Sequence, residues 1–357
     1  MGNPVSQTHE QHRGWWQRPK VLMSFLSTAA VLYLVAPTGL QIGVERRTNT
    51  DRSIVRQSTV PVATVNPTDA AAIPAILEAW KKIDGTPIIM SYHDISLTPT
   101  SKYTVTPTAF AQQMAVLAAM GVHTMTASEF RGYTEGVKVP PRSILITFDD
   151  GARGVWKFAD KVLEQHKFNA TAFIITGFVG TRAPYYMTWN ELDTLGKTGR
   201  WDFEAHTHVG HTKIPIDAEG HVASFVSNLA WLPEGRLETS AEESARVIKD
   251  LDTCIHELQI RGYGKGRLFA FPYSDYGRPS NNADIDRTLL AITTPRFSAV
   301  FADDVLPHNV SGPFQFNRLS IDTDVTPALL LSNWASVIDQ TFHQSDPPTL
   351  TGDTTTS

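Results

Sequence analysis

Four short stretches of this 357-residue sequence gather acids and histidines just after runs rich in apolar and β-branched residues. Asp149-Asp150-Gly151 follows Ser143 to Phe148. His206, His208 and His211 follow Trp201 to Ala205, His93-Asp94 follows Ile89 to Tyr92, and Phe271-Pro272-Tyr273 ends another such run. Asp-Gly after a strand is by itself an ordinary turn, and a single histidine is ordinarily a surface or core residue. Three histidines within six residues at a strand end, opposite paired acids, make a ligand set for a metal ion. One Asp and two His would hold a divalent ion and leave positions open for water and substrate. The second Asp, near but not bound, would take the proton of metal-bound water as it attacks a carbonyl carbon, while the ion polarises the carbonyl oxygen. That chemistry is amide or ester hydrolysis.

The elements that must position these residues are short strands alternating with helices. Strand runs are predicted at Pro87–Tyr92, Val122–Thr126, Ser143–Phe148, Ala170–Thr176, Trp201–His206, Arg267–Tyr273, Phe297–Ala302 and Phe314–Ile321. Between them, Thr106-Pro107 opens a helix with Phe110, Met114 and Leu117 on one face, and Val155, Phe158, Val162 and Leu163 mark another. Thr239 with Glu242 forms a capping box for a helix whose apolar stripe includes Val247, Leu251, Cys254 and Leu258. Thr326-Pro327 begins a last helix through Trp334 and Ile338. The alternation predicts an α/β fold with a parallel sheet, closed or nearly closed. A closed barrel would place the chemistry at the C-terminal ends of its strands.

Composition narrows the rest. With 41% hydrophobic residues the chain can build a large core, which excludes a disordered or collagen-like protein. A formal charge of -5 has the wrong sign for holding nucleic acid. The single cysteine, Cys254, excludes an internal disulfide and any multi-cysteine metal site, and its place on an apolar stripe makes it a core residue. Val21 to Val44 carries no charge over 24 residues, long enough to span a bilayer, with Trp15 and Trp16 before it as interfacial anchors. An uncleaved transmembrane anchor is the reading favoured over a cleaved signal peptide, since Ala36 is followed by Pro37 and preceded by Leu34. Basic residues flank the segment on both sides, so charge does not decide its orientation. The expected organisation is a short tail (1–20), the anchor (21–44), a linker with a short helix at Ala71 to Ile83 (45–84), one catalytic domain (85–342) and an unstructured tail (343–357).

The motifs from Pro87 to Ile321 resemble those of the polysaccharide deacetylases with a NodB-homology domain, carbohydrate esterase family 4. Ile144 to Gly151 is similar to the family's first motif, His206-Thr207 with His211 to its second, and Phe271-Pro272-Tyr273 to its third. His93-Asp94 ahead of the others, and the long segment Thr212 to Leu258, look like the branch that deacetylates poly-β-1,6-N-acetylglucosamine. The resemblance implies a deformed (β/α) barrel of seven or eight strands that removes acetyl groups from N-acetylhexosamine units. It implies Asp149 as general base, Asp150, His206 and His211 as metal ligands, and His93 as general acid. It also implies the Tyr273 backbone N–H as a donor to the oxyanion. The metal would be zinc, with cobalt or nickel as alternatives.

Departures from the family pattern bear on this expectation. Ala270 stands where many members carry an arginine that pairs with the base, and Arg318 or Asp322 on the last strand are the candidates to replace it. Ser274-Asp275 follows Tyr273 where the branch has glycine, which alters the local loop. Trp189 and Arg318 are candidates for the sugar site, with a core role for the Trp189 indole as the alternative, and His208 is either a support for the ligands or a surface residue. The expected partner is an N-acetylated amino-sugar polymer outside the cytoplasm, at the cell surface. Peptidoglycan or chitin-like chains are the alternative substrates. An inactive glycan-binding protein is the alternative from another class, whose mark would be a broken ligand set.

Overall fold

Strands that alternate side chains to opposite faces have two apolar faces to bury, and this chain buries them in two separate places. The computed structural model describes residues 57–276, 279–303 and 314–345. Its main sheet consists of parallel strands β1 (Ile88–Tyr92), β2 (Ser143–Phe148), β3 (Ala170–Ile174), β4 (Trp201–Ala205), β5 (Leu268–Ala270), β6 (Ala299–Ala302), β7 (Gln315–Asn317) and β8 (Leu319–Ser320). They pair in the order β7-β6-β5-β4-β3-β2-β1-β8. Only Arg318 separates β7, which pairs with β6, from β8, which pairs with β1. One continuous run of chain therefore forms both ends of the sheet and the seam of a nearly closed barrel. The Arg318 N–H donates to the Ala302 carbonyl on one side, and the Ile321 N–H to the Ser91 carbonyl on the other.

Alternate residues of each strand face the barrel's interior. Ile89, Leu145, Phe173, Leu268, Phe301 and Phe316 form one buried cluster there with Met125 and Phe130. Their neighbours, such as Ile88, Met90, Ile144, Ile146, Ala172 and Phe203, belong to a second cluster shared with the surrounding helices. The outer helices start where the sequence signals them. Thr106 accepts from the Ala109 N–H at the start of Pro107–Met120, and Thr239 and Glu242 form a reciprocal capping box for α6 (Ser240–Gln259). Cys254 is buried on α6, where burial pushes its thiol up to about 12.

Three expectations change. The run Val122–Thr126 yields only His123–Thr124, which pairs with the start of β2 beside the ring. Thr126 instead caps the helix Ala127–Thr134, whose Phe130 ring sits against Phe301 and Phe316. The described part of the expected linker, residues 57–84, packs as part of the domain, because its helix α1 (Pro67–Trp80) buries Ile73, Ile76 and Trp80. The Trp80 ring meets Trp334 of α8 (Pro327–Ser345) edge-on, with centroids 5.3 Å apart. α8 also runs through Ser345, past the expected domain end at residue 342. The expected membrane segment, residues 21–44, lies outside the described residues, as do residues 1–20, 45–56 and 346–357. Among the described residues no helix is long and apolar enough to cross a membrane.

Trp334 is fully buried, and its Nε1 has no hydrogen-bond partner. Its contribution is therefore volume and ring contact. Trp334→Ala is expected to lower unfolding stability by about 3–5 kcal/mol, read as a lower midpoint in urea. A midpoint unchanged from wild type would mean that α1 and α8 do not hold the barrel's outer layer.

Candidate active site

The alternation that fills the barrel with apolar side chains carries on past the strand ends and turns polar. Extending the interior-facing positions places Asp149 after β2, His206 after β4 and Asp303 after β6 on the same side as Leu145, Glu204 and Phe301. Two consecutive acids cannot both face inward from a regular strand. At Asp150 the backbone turns to φ +72°, and the chain leaves strand geometry between the two acids. Gly151, at φ +81°, completes the turn; a Cβ there would stand 3.2 Å from the Ile174 side chain.

Asp150, His206 and His211 come together, their ligating atoms within 4.8 Å of one another. Asp150 Oδ1 lies 3.4 Å from His206 Nε2 and 3.2 Å from His211 Nε2. The other nitrogen of His206, Nδ1, is 2.7 Å from the Ala270 carbonyl oxygen, which can only accept, so Nδ1 carries the proton and Nε2 presents a lone pair. Asp150 Oδ1 is itself buried without a hydrogen-bond partner. An orphaned carboxylate oxygen facing imidazole lone pairs has the donor set of a divalent cation site. Bonds of ~2.0–2.1 Å at tetrahedral angles would put such atoms ~3.3 Å apart, which the measured separations match. The clasp of His206 by a backbone carbonyl is the usual outer support of a metal-binding histidine.

Asp149 meets a different partner. Arg318 donates from both terminal nitrogens to the two Asp149 oxygens at 2.7 and 2.6 Å, and from Nε to Asp303 at 2.6 Å. The guanidinium is fully buried. Burial alone would raise the Asp149 carboxyl; the charge of Arg318 overcomes this and keeps it low. Asp303 also accepts from Ser91 Oγ at 3.0 Å, and its own N–H donates to Ser274 Oγ. His93, Asp149 and Asp303 form a second cluster beside the first, in which His93 Nδ1 is buried without a partner. The His93 ring lies 4.8 Å from that of Tyr103. A cleft of about 480 Å³ joins the two clusters, its rim including Lys102, Tyr103, Tyr273, Ser320 and Asp322.

The structure thus brings Asp149, Asp150, His206, His211, His93 and Tyr273 into one cleft. Tyr273 has φ +59°, its ring lies 4.4 Å from His211, and no group among the described residues accepts from its backbone N–H. Arg318, not Asp322, makes the pairing that Ala270 cannot, while Asp322 stands on the rim bonded to Ser320. Being fully buried, Arg318 does not line the sugar site as expected. Trp189 does not line the cleft either: it opens the helix Trp189–Gly196 and stacks under the Arg261 guanidinium, 4.1 Å from its centroid. His208 bonds Thr176 and Glu257 instead of joining the ligand cluster. Asp303 was not singled out from the sequence, although Phe301-Ala302-Asp303-Asp304 repeats the pattern of a strand followed by two acids seen at Phe148-Asp149-Asp150.

Comparison with known proteins agrees with this arrangement. Residues 136–287 match the polysaccharide deacetylase family. A poly-beta-1,6-N-acetyl-D-glucosamine N-deacetylase of Staphylococcus epidermidis is 37% identical over 175 residues, covering 48% of this chain and 54% of that protein. Its Staphylococcus aureus counterpart is 31% identical over 174 residues, with the same coverage. The chain thus spans about half the length of the curated relatives it matches. Among solved structures, IcaB from Ammonifex degensii superposes with a TM-score of 0.53 at 25% identity, over 71% of this chain and 98% of that one. A de-N-acetylase from Aggregatibacter actinomycetemcomitans superposes with a TM-score of 0.58 at 16% identity, over 69% and 98%, and shares the fold.

Replacing Arg318 tests the electrostatic arrangement directly. Arg318→Met leaves two carboxylates buried without their cation and is expected to cost about 3–5 kcal/mol at neutral pH. A carboxyl whose folded pKa is depressed contributes stability above its unfolded pKa and loses it as pH falls through the folded value. Wild type therefore gains from Asp149 at neutral pH, whereas the variant's raised carboxyls penalise folding there and cease to do so as they protonate. The stability gap between the two, measured by urea unfolding, should narrow from pH 7 towards pH 4. A gap independent of pH would show that the guanidinium does not govern these acids.

Proposed function

We propose that this chain, which carries a polysaccharide deacetylase domain, hydrolyses the N-acetyl groups of an N-acetylglucosamine polymer, with a β-1,6-linked exopolysaccharide as its substrate. The observation that carries this reading is the placement, in one cleft, of an acid held ionised by Arg318 beside an Asp-His-His cluster fit for a divalent cation. The β-1,6 linkage is supported by the names of the staphylococcal relatives. The ligand set is complete, unlike that of a glycan-binding protein that has lost the chemistry.

Asp150, His206 and His211 would hold the cation, for which zinc is the proposed occupant and cobalt or nickel would suit the same donors. A cation there would supply Lewis acidity to the amide carbonyl and to the attacking water. Asp149 accepts the proton of that water as the oxygen attacks the acetyl carbon. Because Arg318 keeps its carboxyl low, Asp149 is a weak base but an ionised one across the physiological range. His93, across the cleft, donates a proton to the leaving amine as the C–N bond breaks. The Tyr273 N–H, without an acceptor among the described residues, stabilises the oxyanion. Acetate and a free amine on the sugar are the products. The uncharged run of residues 21–44 supports placing the domain at the outer face of a membrane, where such a polymer is met.

The test is acetate release from β-1,6-linked, β-1,4-linked and peptidoglycan substrates. Activity should be highest on the first, vanish with a chelator and return on adding zinc. Asp149→Asn and His93→Gln should each lower kcat by about 10²–10⁴-fold. Full activity of Asp149→Asn would sink the mechanism, and activity confined to peptidoglycan would reject the substrate.

A further inference from the structure

The two histidines of the cleft are joined by four residues whose path is not that of a strand, and the structure shows what holds that path. His206 continues β4, its N–H donating to the Ile174 carbonyl at 3.1 Å, but at Thr207 φ turns to +77° and the chain leaves the sheet. On one side the end of β3 grips the turn: the Thr176 N–H donates to the Thr207 carbonyl and the Gly177 N–H to the His208 carbonyl, at 3.1 and 2.9 Å. On the other side stands Asp250 of α6, a buried acid that is not among the residues lining the cleft. Its two oxygens accept from the His208 N–H and the Val209 N–H, each at 2.8 Å, and the Gly210 amide faces the same carboxylate. A Cβ at Gly210 would stand 3.1 Å from Asp250 Oδ2, so the close approach uses the absence of a side chain there. Glu257, two turns further along α6, holds the His208 ring.

We propose that Asp250 is the positioning residue of the metal centre: by binding the amides between His206 and His211, it fixes the separation and aim of the two imidazoles. This rests on the reading of Asp150, His206 and His211 as a cation site. The chemistry demands an acid. The amides present donors only, and an ionised carboxylate is acceptor-only on both oxygens. An amide side chain would turn an NH₂ group towards one of the N–H donors, and that part of the turn would swing away. The ligands would still be present but no longer pre-aimed, and the cost would fall on cation affinity.

Zinc titration against a competing chelator, on the metal-stripped full-length protein, separates this role from a general structural one. Asp250→Asn should weaken zinc binding by about 10–100-fold, while the unfolding midpoint of the metal-free protein moves little. Asp250→Glu keeps the carboxylate and should recover part of the affinity; it decides the question by the same titration if Asp250→Asn does not fold. Asp252→Asn, on the same helix but bonded to Arg296 and to none of these amides, should bind zinc as wild type does. Folded Asp250 variants that bind zinc as tightly as wild type would overturn the proposal, as would a fall in metal-free stability with affinity unchanged. A wild-type protein that binds no zinc, or binds it equally well as Asp150→Asn, would overturn the cation site itself.

Discussion

The arrangement turns on a single buried guanidinium. Arg318 is the one residue between the two halves of the closing strand, and it ties Asp149 at the end of β2 to Asp303 at the end of β6. A buried cation is costly unless every donor is used. Here its donors reach Asp149, Asp303 and Thr147. The same residue therefore sets the charge state of the acid in the cleft and sits where the barrel meets itself. Geometry and electrostatics cannot be altered separately at this position.

Around that tie, the barrel uses one pattern twice. Alternation sends Leu145 and Glu204 into the barrel's interior, and one or two steps further along the same strands it delivers Asp149 and His206 to the cleft. The departures from regular strand are the places where chemistry needs more than alternation allows. Positive φ at Asp150, Thr207 and Tyr273 re-aims the chain after three different strands, each at a cost of about 1–3 kcal/mol. Those costs are borne by hydrogen bonds such as those of Asp250 and by the packing beneath.

Much of this was legible in the sequence. Strand β2 matched its prediction at both ends, because five apolar or β-branched residues after Ser143, bounded by Arg142 and Asp149, leave little freedom. The capping box of Thr239 and Glu242 announced α6, and the motif residues lie in one cleft. What could not be read were contacts between segments far apart in sequence. Arg318 was one of two candidates to replace the missing arginine, and only three-dimensional closure distinguishes it from Asp322, four residues away. Trp189 looked like a sugar platform because its type suits one; its neighbour Arg261 lies on another element and carries no local signal. The stretch before Gly85 read as linker with a short helix, because the apolar side of that helix is completed only by distant elements, α8 and Pro107–Met120.

The seam also bears on how this protein comes into being. Asp149 and Arg318 stand 169 residues apart in the chain, and the strand carrying Arg318 is the last of the barrel to be synthesised. Contacts of such sequence separation are costly to form and tend to come late in folding. Until that strand docks, Asp149 sits in a sheet open along one edge, without the cation that keeps it ionised as it is buried. The charge partner of Asp149 and completion of the fold therefore arrive together, and a chain emerging from the ribosome carries a cleft without its buried cation until the last strand of the barrel is in place.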